Sequence, residues 1–422
     1  MKKLFFIAII ILTSVFAKAQ STITIDSCYA MARLEYPLIK QKGLIEKTKE
    51  YNLSNVGRGY LPQINFNGQS THQSDVTTIP ISFHIPGINF SIPTVSKDQF
   101  NLHGEIDQTI YDGGVIKQQK ATQIAAAGIQ DENIEVQLYA LRDRINQIYF
   151  GILLINEQLK QNDLTQKDLQ NSIDRMQANV NNGTALSNNL YELRAAILLQ
   201  KQNEISLKAS HKAYLEMLSL FINKQFDENT MFETPHSVVV SETIHRPELS
   251  FFDFQKKNDD VQEKILKAAN RPKFLFFFQG GYALPGLNGF NIDPAWYYIT
   301  GLKLSWSVGG LYTLYNQRQL INIDRQTIDI QKEAFLFNTN LNLKQQGAEF
   351  SKLKQLIDID TDIIIQRSAV KAISKAQLDN GVITIHDYLS ELDAEDAAKQ
   401  SLLLHKVQLL MDEYNYQNTA GN

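Results

Sequence analysis

From Phe100 to Ile110 the side chains alternate. Phe100, Leu102, Gly104, Ile106 and Ile110 fall on one side of an extended chain, and Asn101, His103, Glu105, Asp107 and Thr109 on the other. Gln63–Thr71 repeats the pattern, with Ile64, Phe66 and Gly68 set between Gln63, Asn65, Asn67, Gln69 and Thr71. So does Trp296–Val308, where Trp296, Tyr298, Leu302, Leu304 and Trp306 oppose Gly301, Lys303, Ser305 and Ser307. Period two predicts strands with one apolar and one polar face. A further strand is predicted over Lys273–Tyr282, where Phe274–Phe278 is apolar on both faces.

Elsewhere the period lengthens. Ile134, Leu138, Leu141, Ile145, Ile148, Ile152, Ile155 and Leu159 are spaced alternately four and three apart, the stripe of a helix buried against a partner helix. The stripe loses register after Leu159 and resumes at Leu169, Ile173, Met176 and Val180. A helix over Val115–Val180 is predicted, about 100 Å long at 1.5 Å per residue. A second long helix is predicted over 311–378, with a less regular seam. All ten prolines lie within 37–93 and 235–294, which leaves both helical stretches free of them.

The two halves echo one another. Tyr36-Pro37-Leu38 is matched by Arg246-Pro247-Glu248, and Gly59–Phe66 by Asn270–Phe276. Ile110-Tyr111-Asp112-Gly113-Gly114 is matched by Trp306-Ser307-Val308-Gly309-Gly310, and Asn182-Gly183-Thr184 by Asn380-Gly381-Val382. The order is constant and the offsets fall between 196 and 210. An internal duplication is therefore expected. The first repeat spans 21–225, with strands near 63–73 and 98–111 and a helical-hairpin tip at 181–184. A linker follows at 226–245. The second repeat spans 246–418, with strands near 273–283 and 296–308 and a tip at 379–382.

Residues 1–20 carry a basic start, the apolar run Leu4–Leu12 and an Ala17-Lys18-Ala19 end, which reads as a secretory signal peptide. The formal net charge is −4; the first twenty residues contribute three lysines and no acid, so without them it is −7. That balance excludes the basic footprint of a nucleic-acid binder. Cys28 is the single cysteine, so neither a disulfide nor a cysteine metal cluster forms within the chain. The mean hydropathy of −0.24 is too polar for a polytopic helical membrane protein. Strands with one polar face suit either a water-soluble sandwich with one wet face or a wall between lipid and water, the latter with Tyr60, Tyr111, Trp296 and Trp306 near their ends as interfacial aromatics. Four strands do not close a membrane barrel, and lipid does not tolerate an open edge. Several chains would have to share one barrel, with the loops 75–97 and 283–294 outside and the helices projecting the opposite way.

This organisation resembles the TolC-like outer-membrane efflux channel family over essentially the whole chain after the signal. The resemblance rests on Asp26–Ala32 before Tyr36-Pro37, on Gly59-Tyr60-Leu61-Pro62-Gln63-Ile64, and on Tyr111-Asp112-Gly113-Gly114 at the strand-to-helix corner. It implies a mainly α, α+β fold: a duplicated coiled-coil tunnel of long helices plus four strands per chain, forming a 12-stranded barrel in a homotrimer. It also implies docking on a periplasmic adaptor and an inner-membrane pump, of the resistance-nodulation-division or ATP-driven type. The location implied is the outer membrane of a Gram-negative bacterium, with helices reaching into the periplasm. The aperture would lie at the hairpin turns, which makes Asn182, Gly183, Thr184, Asn189, Asn380, Gly381 and Asp387 the tip candidates; three copies of Asp387 would form an acidic ring. Leu378 and Ile383 stand where family members carry a latching Tyr and Arg, so that latch does not carry over. His103, Glu105, Asp107 and Lys303 would line the barrel lumen. The eight histidines show no metal-site spacing and no phosphate-binding loop appears, so no cofactor, metal or catalytic residue is expected. A protein-secretion channel of the same family and a soluble periplasmic coiled-coil adaptor are the alternative readings.

Overall fold

Strands and helices form where the two periodicities place them in the computed structural model, which describes residues 22–78, 94–238, 243–289 and 291–422. The signal segment and the part of the first loop that carries Pro80, Pro86 and Pro93 lie outside the described residues. In chain order the elements are α1 (Ile25–Glu35), α2 (Lys40–Gly57), β1 (Gln63–His72), β2 (Asp98–Tyr111), α3 (Val115–Tyr139), α4 (Leu141–Asn181), α5 (Ser187–Ile222), α6 (Pro247–Ala269), β3 (Lys273–Leu284), β4 (Ala295–Ser305), α7 (Gly310–Asp379) and α8 (Ile385–Ala420). The chain divides into two compact units that each draw on both halves of the sequence: Lys42–Glu132 with Phe251–Gln331, and the segments up to Gln41, Asn133–Ser250 and Lys332–Asn422.

The first unit holds the sheet. Its order is β1-β2-β3-β4, all antiparallel, with β1 and β4 as edges. Gly280 and Gly281 lie inside β3. A Cβ on Gly281 would stand 2.5 Å from the Leu102 carbonyl oxygen and 2.6 Å from the His103 Cβ, so only glycine permits the close approach of β2 there. β4 ends at Ser305, three residues before its alternation predicts, because the chain turns at once through Leu311 N–H to Val308 O (3.0 Å) and Tyr312 N–H to Gly309 O (3.1 Å). At the other corner Asp112 accepts from the Gly114 (2.8 Å) and Ile116 (2.6 Å) backbone N–H groups, capping α3. Gly113 (φ +76°) and Gly114 (φ +88°) supply the left-handed turn that precedes that helix.

The second unit is helical. The predicted seam is buried from Ile134 (3% exposed) through Ile145 (1%) and Ile152 (0%) to Leu169 (1%) and Met176 (7%). The single helix expected over 115–180 is divided by one residue, Ala140, which leaves α3 and α4 in near-continuous line of sequence. The lapse after Leu159 is not a loss of register. Asn162 and Gln166 continue the spacing: Asn162 is buried, donating to the Gln200 carbonyl oxygen (3.1 Å) and to its Oε1 (2.9 Å) on α5. Gln166 donates to Asn162 Oδ1 (2.5 Å) and to Glu204 (2.8 Å). Polar residues that satisfy one another thus replace apolar knobs in mid-seam, fixing the α4–α5 register.

Nearer the hairpin turns, Lys371 of α7 donates to Asp168 of α4 and Glu395 of α8, each at 2.8 Å. Glu395 also accepts from Ser368 (2.6 Å) and faces Lys399 (3.1 Å), with its side chain only 6% exposed. Burial alone would raise the Glu395 pKa, but the bonds from Lys371, Ser368 and Lys399 hold it at about 2. At the segment 22–24, Ile23 bridges Phe232 in parallel, and the fully buried Tyr149 hydroxyl bonds the carbonyl oxygens of Ile23 (2.8 Å) and Glu233 (2.7 Å).

Glu395 makes stability depend on acid. Its folded pKa lies below the ordinary 4.5, so the unfolded chain binds a proton where the folded one does not. The stabilisation is complete above about pH 5 and is lost as pH falls toward 2. Thermal melts across that window should show Glu395→Gln flattening the acid slope. Lys371→Met, which leaves the carboxylate with Ser368 and Lys399 alone, should cost about 1–3 kcal/mol at neutral pH.

Candidate functional site: a two-faced sheet and paired helical tips

Directly opposed residues in an antiparallel sheet share a face, so the register sorts the side chains. Ile64 lies opposite Ile106, Ile106 opposite Phe278, and Phe278 opposite Thr300. The same face carries Phe66, Leu102, Phe276, Tyr282, Trp296, Tyr298 and Leu302. These groups are open to solvent in the single chain: Phe66 is 84% exposed, Trp296 82% and Leu302 73%. Tyr60, Tyr111 and Trp306 border the sheet at the end where α2 enters and α3 and α7 leave, and the Trp306 indole N–H donates to the Asn270 carbonyl oxygen (3.1 Å).

The opposite face holds the predicted polar residues. His103, Glu105 and Asp107 share it on β2, and Lys303 joins them on β4, two strands away, since Thr109 opposes Leu275 and Leu275 opposes Lys303. His103 Nδ1 lies 2.9 Å from Asn101 Oδ1, which also accepts from the Tyr297 hydroxyl at 2.9 Å; Gln279 Nε2 donates to that hydroxyl at 3.1 Å. Sequence reading missed this Asn101–Tyr297–Gln279 chain, because it forms across three strands and only the register reveals it. The face is also less polar than alternation predicts: Leu275, Phe277 and Ile299 fall on it, and a Cβ on Gly301 would touch the Phe277 ring at 3.1 Å.

The helical tips are built alike. Asn182, Gly183 and Thr184 donate their backbone N–H groups to Ala178, Val180 and Asn179 (3.0, 3.0 and 2.9 Å); Asn380, Gly381 and Val382 donate to Ala376, Leu378 and Gln377 (3.2, 3.0 and 2.8 Å). Both are Schellman closures, with Gly183 at φ +72° and Gly381 at φ +70°. Beyond the turns they diverge. Thr384 and Asp387 form a capping box on α8: Asp387 accepts from the Thr384 N–H (3.0 Å) and hydroxyl (2.7 Å), and its own N–H donates to Thr384 Oγ1 (3.2 Å). At the equivalent first-tip positions, Leu186 gives no side-chain cap, and the Asn189 N–H donates to the Leu186 carbonyl oxygen (3.1 Å). Asp387 is exposed, and the Thr384 side-chain and backbone bonds lower its pKa. Leu378 and Ile383 pack with Val180 and Ala185 against a core of Leu169, Ile173, Met176, Leu190, Leu193, Ile385, Tyr388 and Leu392. Arg175 lies 3.7 Å from Asp379, but both are half exposed or more, so this pair binds the tips weakly.

Among the described residues, no group of three His, Cys, Asp or Glu side chains is placed to hold a metal, and no helix is long and apolar enough to cross a membrane. No protein-family model matches the chain, and no curated protein matches it. Solved structures do. CusC, reported for the conformational changes that accompany its folding and transmembrane channel formation, superposes with a TM-score of 0.67 at 13% identity, over 94% of this chain and 91% of that one. The outer membrane protein VceC of Vibrio cholerae gives 0.65 at 12% identity, over 94% and 96%. The open-state MtrE outer membrane channel of Neisseria gonorrhoeae gives 0.63 at 13%, over 94% and 89%. The likeness runs through sheet and helices together, and the mostly helical chain has the fold of the TolC-like outer-membrane efflux channels.

Proposed function

We propose that the chain is the outer-membrane channel of a tripartite efflux system, a passive homotrimeric conduit in the outer membrane of a Gram-negative bacterium. Three four-stranded sheets close one 12-stranded barrel, and the long helices form a tunnel in the periplasm. The observation that carries this reading is the sheet itself: one face is apolar and exposed, and β1 and β4 are open edges. Lipid covers the first, and only strands of other copies satisfy the second. The strands run 10–14 residues, enough for a tilted crossing that needs about 9–11. An adaptor in aqueous periplasm has no use for such a face, which sets the soluble alternative aside.

The conduit does no chemistry of its own. Energy comes from an inner-membrane pump, of the resistance-nodulation-division or ATP-driven type, through a periplasmic adaptor; nucleic acid plays no part. His103, Glu105, Asp107 and Lys303 belong to the lumen wall. The tips, with Asn182, Gly183, Thr184, Asn189, Asn380 and Gly381, surround the periplasmic aperture, where three copies of Asp387 draw cations.

Light scattering after extraction should find a detergent-dependent species of three chains; a detergent-free monomer or dimer in the periplasmic fraction would refute the channel. In planar bilayers the trimer should conduct with cation preference, and Asp387→Ala should reduce that preference. The same substitution removes the Asp387 side-chain half of the capping box and leaves the Thr384 hydroxyl accepting from the backbone N–H of residue 387. Thr384→Ala separates the two effects, because it loses the cap and keeps the carboxylate.

A further inference from the structure

Within the sheet-bearing unit, a cavity of about 630 Å³ opens where strands give way to helices. Its cationic lining is Lys117, Lys120 and Lys264, and its apolar lining includes Tyr60, Ile116 and Ile124; no acidic residue borders it. Lys117 is the third residue of α3, Lys120 lies one turn further, and Lys264 stands five residues before the end of α6. All three therefore sit within about two helical turns, each 5.4 Å, of a helix end that faces a strand.

The neighbouring carboxylates are already committed. Glu263 holds Lys267 (2.7 Å) and Arg325 (3.1 Å), Asp260 holds Arg325 (2.7 Å), and Asp112 caps α3. Among the described residues none of the three cavity lysines has an ion pair. Three lysines that line one hollow give it a positive potential, which favours an anion that enters.

We infer that this cavity binds the phosphate of an anionic phospholipid headgroup at the periplasmic leaflet of the membrane. The inference rests on the reading that β1–β4 span that membrane, since it is this that brings the strand ends to headgroup level. The lysines meet the phosphate, and Ile116, Ile124 and the Tyr60 ring lie against the glycerol and the first acyl carbons. Basic hollows beside membrane spans take anionic headgroups in this way, and a Lys stem laid on apolar surface presents its ammonium at the same depth.

The test is titration of the delipidated, detergent-solubilised full chain with dioleoyl phosphatidylglycerol, read by native mass spectrometry. Dioleoyl phosphatidylcholine serves as the zwitterionic control and inorganic phosphate as competitor. Phosphatidylglycerol should bind in preference to phosphatidylcholine and resist displacement by millimolar phosphate. Its affinity should fall at least about tenfold in the Lys117→Gln/Lys120→Gln/Lys264→Gln variant, whose oligomer mass and conductance should match the parent. Lys264→Gln alone, at an exposed helix position, should give a partial loss and guards against misfolding of the triple variant. Unchanged phosphatidylglycerol binding in the triple variant overturns the site. Displacement by phosphate alone overturns the lipid as its source. Absence of conductance in the parent protein refutes the channel instead, and the lipid titration still decides the cavity.

Discussion

A four-stranded sheet with one apolar face has two kinds of surface that a lone chain leaves unsatisfied. In water, the aromatic and aliphatic groups from Phe66 to Trp296 stay hydrated at a cost near 25 cal/mol per Å². In lipid that cost disappears, but the free N–H and C=O groups along β1 and β4 then have no partner, and each such group costs several kcal/mol. Both demands are met only when lipid lies outside and another copy's strand lies at each edge. The polar groups of the other face, from Asn101 to Gln279, then need water, so the closed object has a wet interior. The proposed pore thus rests on edge pairing and alternation, before any residue is given a transport role.

The helical unit solves a different problem, which is how long helices keep a unique register. An all-apolar seam slides at little cost, whereas a buried polar pair does not. Asn162 and Gln166 on α4 fix Gln200 and Glu204 on α5, and Lys371 joins α4, α7 and α8 through two carboxylates. Below that network, the tip core is apolar, and Leu378 and Ile383 belong to it. The grip near the turns of this chain is therefore hydrophobic packing plus one recessed ion network, not polar side chains at the turns themselves.

Periodicity made most of this legible. The four strands, the seam and both Asn-Gly turns are short-range patterns, written in the spacing of residues such as Ile145, Ile152 and Gly381. What escaped the sequence was pairing across elements. The mid-seam lapse read as lost register because Asn162 and Gln166 are polar, and their partners lie 38 positions away. β3 is apolar on both sides, so its spacing alone does not sort its phenylalanines, and only the opposition of Asp107 and Phe277 shows which of them share the face of the polar residues. The capping box of Thr384 and Asp387 and the missing cap at Leu186 became meaningful only once the two tips proved to share one hydrogen-bond pattern.

That asymmetry bears on the charge at the proposed aperture. Carboxylates gathered around a symmetry axis repel, and repulsion of this kind raises pKa until one or more protonate. The Thr384 hydroxyl and backbone N–H oppose it by bonding the charged form of Asp387, and the N-terminus of α8 adds the favourable end of the helix dipole. The bonds that start the helix therefore also keep the carboxylate ionised. Asn189 holds the equivalent place in the first tip without a charge and without a side-chain cap. In the proposed trimer this position would contribute three acidic groups rather than six, and the bonds each makes to its own helix start favour the charged form.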